Sequence, residues 1–166
     1  MKRLGLAIGT IVVATILASG FVDSANAAGS AKDEITAVEN KLLAATSADE
    51  VMKYFDNKDI VLYDLVPGLQ YKGAAAVQAD ENNFFSNATD VKGEFVELVV
   101  VTDGKMGMAR SIQHITWKDK AGKAQEATLR VTDVYHKVNG EWKVFHSHVS
   151  VPVDLKTSQG QMNLKP

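Results

Sequence analysis

The sequence predicts an α+β domain whose helices pack on one face of a curved antiparallel sheet. Three observations carry this reading. Apolar residues recur at helical three- and four-residue steps in the first half of the chain. After Asp90 the pattern changes to long strand-like runs separated by short polar turns. One of those turns, Asn139-Gly140, is the strongest short hairpin signal in the chain. Helices first and an antiparallel meander second is the element order of an α+β fold.

The elements follow in chain order. Ile35, Val38, Leu42 and Ala45 make one apolar stripe and predict a helix over Lys32 to Thr46. Ser47 with Glu50 is a capping box, so a second, short helix starts there and carries Val51, Met52, Tyr54 and Phe55. "KDIVLYDLV" reads as a short strand that Pro67-Gly68 ends in a turn. A third helix is predicted from Gly73 to Asn87, with Val77, Phe84, Phe85 and Ala88 on its buried side. Four strands come next, "KGEFVELVVVT", "KMGMARSIQHITWK", "QEATLRVTDVYHKV" and "EWKVFHSHVSVPV". The segment 155–166 is polar and reads as a loose tail. Gly104 and Gly107 belong to turns or to tight strand packing, and no phosphate-binding pattern is present.

The opening "MKRLGLAIGTIVVATILASGFVDSANA" combines Lys2 and Arg3 with an apolar run and a small-x-small ending at Ala25-Asn26-Ala27. It predicts a cleaved export signal over 1–27, a folded domain over 28–154 and a periplasmic or secreted product. No membrane association is expected after cleavage. The formal net charge of −2 becomes −3 once Lys2, Arg3 and Asp23 are removed. Such mild acidity without a basic block points away from nucleic acid. The chain has no cysteine, which excludes disulfides, thiolate nucleophiles and cysteine-bound zinc.

The chemistry-bearing residues concentrate near the end of the chain. In "HSHVSVPVD", His146 and His148 lie two apart on one strand face, a spacing that suits two ligands of one metal. A third ligand would have to come from His114 or Asp133; otherwise the histidines belong to the wall of the fold. No bound metal is expected. Trp142, Val144, His146, His148 and Ser150 share one parity, and Lys143, Phe145, Ser147, Val149 and Val151 share the other. Both sets are partly apolar, and one bulge would invert them, so the pocket face stays open. Arg130 is a charge in a strand able to be buried: either a pocket guanidinium or a partner for Asp133, Glu126 or Asp64. Met106, Met108, Phe84, Phe85 and Tyr71 belong either to a ligand cavity or to the core.

Arg130 to Asp154, "RVTDVYHKVNGEWKVFHSHVSVPVD", resembles the last hairpin of the SnoaL-like branch of the nuclear transport factor 2-like superfamily. The matching positions are Thr132, Val134, His136, Gly140, Trp142, His146, His148, Ser150 and Pro152. Upstream, "YFDNKDIVLYDLVPGLQYKG" resembles the family's first strand, with an acidic residue and an aromatic at the pocket mouth. The hairpin is also similar to that of the calcium/calmodulin-dependent kinase association domain. The resemblance implies a cone, a curved sheet wrapped around about three N-terminal helices with an apolar pocket open at one end. It implies pairing through the outer sheet face into a homodimer or larger homo-oligomer.

The implied function is binding of a small, largely apolar organic molecule, with cofactor-free proton transfer of the isomerase, dehydratase or hydrolase type. Asp64 is the implied base, with His114 or His148 as its partner. Tyr63, Tyr71, Phe85, Arg130, Asp133 and His146 are the implied ligand contacts. Asp64, Tyr71, His114, Arg130 and one strand histidine are expected to converge on one cavity. The fold also hosts non-catalytic assembly modules, and a cone lined by titratable groups would distinguish an enzyme from such a module.

Overall fold

A computed structural model describes residues 24–165. Most of the expected leader, residues 1–23, lies outside the described residues. Helix α1 spans Ser24–Leu43, α2 Ala48–Met52 and α3 Ala74–Asn87. Between α2 and α3 lie the short strands β1, Val61–Tyr63, and β2, Tyr71–Lys72. Four longer strands follow: β3 Ala88–Thr102, β4 Met106–Asp119, β5 Ala124–Val138 and β6 Glu141–Ser150. The chain closes with β7, Val153–Asp154, and β8, Gln159–Gly160.

Helix α1 begins earlier than the apolar stripe indicates, because the preceding segment is rich in alanine and carries no helix breaker stronger than Gly29. Its buried line runs through Ala31, Ile35 and Glu39, one residue every fourth. The predicted capping box starts α2: Ser47 Oγ accepts from the Glu50 N–H, and Glu50 accepts from the Thr46 N–H at 2.8 Å.

The main sheet has the order β2-β1-β6-β5-β4-β3. Its pairings are antiparallel except β1 with β6, which run parallel with Val61 opposite His146 and Tyr63 opposite His148. Asn139 and Gly140 both have positive φ, 52° and 87°, as the predicted two-residue hairpin turn requires. Register shifts in β3, between Thr89 and Lys92 and between Phe95 and Glu97, interrupt the ladder and favour curvature. The curved sheet encloses the helices on its inner face, which gives the cone.

A third shift has a larger consequence. Val134 pairs with His146, but Tyr135 pairs with Val144, so Phe145 has no opposite residue. Trp142 and Val144 are buried against the helices, and after the bulge Ser147 takes the inner position. His146 and His148 are thereby turned to the outer face, although they share sequence parity with Trp142.

Helix α1 crosses the sheet where side chains are missing. A β-carbon at Gly107 would collide with Ile35 Cδ1, and one at Gly93 would meet Leu43 Cδ1 and Ile115 Cδ1. The tail read as loose is instead tied down: β7 pairs with β8, and the Thr128 N–H donates to Met162 O at 2.6 Å. Ile35 is fully buried at the α1 crossing. Ile35→Ala should lower unfolding stability by roughly 2–5 kcal/mol in chemical denaturation. A change within experimental error would mean that α1 does not depend on this seat.

Candidate functional site

A cavity of about 480 Å³ lies between the helices and the inner face of the sheet. Its apolar end is built by Leu43 from α1, Phe84 from α3, Ile115 and Trp117 from β4, and Leu129 from β5. Phe84 packs edge-on to Phe85 at 5.1 Å and to Trp117 at 6.1 Å between ring centroids. Met162, from the folded tail, closes part of the wall.

The polar end is acidic. Glu39 from α1, Asp80 and Glu81 from α3, Asp64 just after β1, and Asp133 from β5 all line the cavity. Gln113 and Ser147 are the neutral polar side chains among them, and no lysine, arginine or histidine lines the cavity among the described residues. Glu39 and Asp133 are buried, with 1% and 4% of their surface exposed. The Tyr135 hydroxyl donates to Glu39 Oε1 at 2.6 Å. The Glu39 carboxyl and the Ser147 hydroxyl both stand within hydrogen-bonding reach of Asp133. Asp133 Oδ1 is buried and has no hydrogen-bond partner.

Burial sets the protonation of this group. It pushes the Glu81 carboxyl up to about 8, reinforced by the charges of Asp64, Asp80 and Asp133. It raises Asp64 to about 6, against the hydrogen bond from the Leu65 N–H and with the Asp80 carboxyl adding to the rise. Glu39 and Asp133 are both raised by burial, and as neighbouring carboxyls they hold a proton between them. The same desolvation, with Asp133 and Glu39 beside it, holds the Tyr135 hydroxyl protonated.

Of the residues singled out from the sequence, Asp64, Phe85 and Asp133 line this cavity. Tyr71 packs beside the core, with its hydroxyl donating to Pro67 O and lying close to Asp80. The others project from the outer face, so the expected convergence is not realised. Arg130 is exposed, and strand alternation puts it opposite the cavity-lining Leu129, Val131 and Asp133. The alternation therefore corrects both readings of Arg130 that involved the pocket or Asp133.

His114 belongs to a shallow outer groove, with Nε2 3.6 Å from Glu126 and Nδ1 3.5 Å from Thr128 Oγ1. His146 Nδ1 lies 2.9 Å from Val61 O. Tyr63 packs edge-on to both His146 and His148, at 4.9 and 5.8 Å between ring centroids. The two strand histidines thus belong to the wall, and the bulge at Phe145 put them there. Met106 and Met108 share the outer face, whereas Phe84 and Phe85 reach the cavity.

Glu39, Asp80 and Glu81 were missed from the sequence, yet their positions carried a signal. Glu39 lies four residues after Ile35 and three before Leu42, inside the α1 apolar stripe. Asp80 and Glu81 lie three and four residues after Val77 on the buried line toward Phe84. A carboxylate within an apolar stripe is a buried charge that calls for a partner or a function.

A family model described as a SnoaL-like domain matches residues 35–154. No curated protein matches the chain. Among solved structures, it is similar to a nuclear transport factor 2-like protein of unknown function from Pseudomonas putida, with 25% identity and TM-score 0.74 over 83% of this chain and 98% of that one. It is also similar to a superfamily member from Salmonella enterica, with 18% identity and TM-score 0.69 over 80% of this chain and 99% of that one. A structure from Streptomyces avermitilis, provisionally named a dehydratase of the same family, aligns with 12% identity and TM-score 0.65 over 76% of this chain and 99% of that one.

The raised carboxyls predict an unusual pH dependence of stability. In the unfolded chain they ionise near the ordinary carboxylate range of about 4. In the fold Asp64 keeps its proton to about 6 and Glu81 to about 8. The folded state therefore binds more protons across that window, and stability falls as pH rises through it. The melting temperature of the unliganded protein should decline from about pH 5 to about pH 8, and Glu81→Gln should lessen the decline. A wild-type melting temperature that stays level or rises over this range would contradict the assignment.

Proposed function

The chain belongs to the SnoaL-like domain family, and on that premise we propose that it binds a small, largely apolar organic molecule in its cone and acts on it by cofactor-free proton transfer. The observation that carries this reading is the pairing of an apolar cavity with carboxyls of different proton affinity. Near neutral pH Asp64 is mostly ionised and Glu81 mostly protonated, so one site holds a base and an acid together.

In a dehydration, Asp64 takes a proton from carbon while Glu81 protonates the departing hydroxyl. A C–H and a C–O bond break, a C=C bond forms, and water leaves. Solvent then returns the proton from Asp64 to Glu81. In an isomerisation the abstracted proton is delivered to a second carbon instead. The roles first implied for His114 and His148 pass to Glu81, because the histidines stand outside the cone. The provisional dehydratase name of one fold neighbour supports the reaction class.

The assembly-module reading has an observation of its own. Val101, Met106 and Tyr63 are 51%, 44% and 41% exposed around the outer sheet. A structure from Xanthomonas campestris provisionally named a kinase II association domain matches with 20% identity and TM-score 0.60, covering 87% of this chain and 96% of that one. Pairing through the outer face is compatible with a working cone, and we propose a homodimer or larger homo-oligomer formed there. Assembly alone gives no reason for acids inside the cavity, so binding and proton transfer come first. We further propose that residues 1–27 are a cleaved export leader and that the activity is periplasmic or secreted; N-terminal sequencing should then find Ala28 or a close neighbour as the first residue.

Native mass spectrometry of protein purified from its own compartment tests the reading directly. A retained organic molecule, together with a dimer or larger species, is the expected result. With that molecule as substrate, Asp64→Asn should reduce turnover by at least about 100-fold. An empty cone under gentle conditions, or an Asp64→Asn protein with full turnover, would sink the proposal.

A further inference from the structure

We propose that the molecule taken by this cavity is an amphipathic organic cation, a protonated arylalkyl- or alkylamine whose ammonium pairs with Asp133 and whose apolar body lies against Trp117 and Phe84. This deepens the preceding proposal and rests on it, since it names the chemical class of the ligand. Three observations support it independently.

The first is charge. Glu39, Asp64, Asp80, Glu81 and Asp133 face the cavity, while no basic side chain lines it among the described residues. A buried carboxylate without a counter-charge is costly, and a merely structural site would be better served by amides or hydrocarbon. A cationic ligand would bring the counter-charge that the walls lack.

The second is an orphan acceptor. Asp133 Oδ1 is buried in the cavity wall with no partner, although Asp133 is only 4% exposed. Buried polar atoms are nearly always hydrogen-bonded, so this oxygen is left able to accept a further donor. An ammonium N–H supplies a donor and a positive charge together.

The third is the division of the cavity. Asp133 stands beside Ser147 and Glu39, with Asp64, Asp80 and Glu81 near one another. The other end has Leu43 and Ile115 meeting at Gly93 and Phe84 packed on Trp117. Aromatic faces favour organic cations as well as apolar bodies. A bare metal ion fits less well, because the described residues contain no group of three or more side chains arranged to hold one.

Binding should depend on pH, with a sign that follows from the groups around Asp133. Glu39 faces it from α1, Asp80 and Glu81 from α3, and Asp64 from the end of β1. Tyr135 lies beside it on β5, and His146, behind it on the outer face, adds an opposing pull. Burial raises both Glu39 and Asp133. An alkylamine keeps its proton to about pH 10. An ammonium therefore displaces a proton from the carboxyl pair, and affinity rises from pH 6 toward pH 8.

The test is calorimetry at about pH 7.5 with three probes of one shape: 2-phenylethylamine, 2-phenylethanol and phenylacetate. The amine should bind at least about tenfold more tightly than the alcohol, and phenylacetate should bind weakest. Amine binding should release protons, seen as a binding enthalpy that changes with the ionisation enthalpy of the buffer. Asp133→Asn should abolish the amine's advantage and leave the alcohol's affinity within about twofold. If the Asp133 variant fails to fold, the proton release by the wild-type protein carries the test, and its absence on amine binding overturns the proposal. An alcohol that binds as well as the amine overturns the cation proposal while leaving the cone as a binding site. Failure of all three probes to bind overturns the cation proposal and counts against the cone reading as well.

Discussion

The hydrogen bond from the Tyr135 hydroxyl to Glu39, 2.6 Å long, joins α1 to β5 in the middle of the core. Both residues are essentially without solvent contact. The bond orients the α1 stripe, because the same helix line that seats Ile35 over Gly107 must deliver Glu39 to Tyr135. It also determines what Asp133 meets, since Glu39 is held beside it. Removing either partner would strand a buried polar group, which costs more than the bond itself contributes. The helix position, the sheet curvature and the acidic end of the cavity are therefore one constraint, satisfied together.

The bulge at Phe145 separates the two faces on which the functional reading depends. Before it, Trp142 and Val144 fill the core; after it, Ser147 and Val149 line the cavity while His146 and His148 join Tyr63 outside. Among the described residues the cavity consequently has acids and aromatics in its lining but no imidazole. Phe145 itself stacks on His136 at 4.7 Å, and His136 lies 2.7 Å from the buried carboxylate of Asp56. That outer contact ties the loop after α2 to the β5–β6 hairpin, so the histidines serve the wall and the carboxylates serve the cavity.

Much of the fold was legible because its signals are local. The helical stripes, the Ser47 capping box and the Asn139-Gly140 turn each depend on a few adjacent residues, and the helix–meander order follows from them. The parallel β1–β6 pairing and the tail fold-back were not legible, because they depend on where distant segments meet. The site was legible only in part. Asp64, Phe85 and Asp133 reach the cavity, but alternation could not say which face of β6 was inside, and one unpaired residue reversed the answer for His146 and His148. Glu39, Asp80 and Glu81 stand inside apolar helical stripes, where a carboxylate differs from its exposed neighbours only by its position on the buried line.

The cone buries carboxyl groups with no basic side chain lining it among the described residues, and therefore retains protons near neutral pH. Residue-resolved carbon-13 NMR of the Glu and Asp side-chain carboxyls in the unliganded protein, across the pH range, measures this directly. Glu81 should titrate near pH 8, and the Glu39–Asp133 pair should still hold a proton at pH 7. Carboxyl shifts for Glu39, Glu81 and Asp133 that are all complete below about pH 5, within the ordinary range, would contradict it.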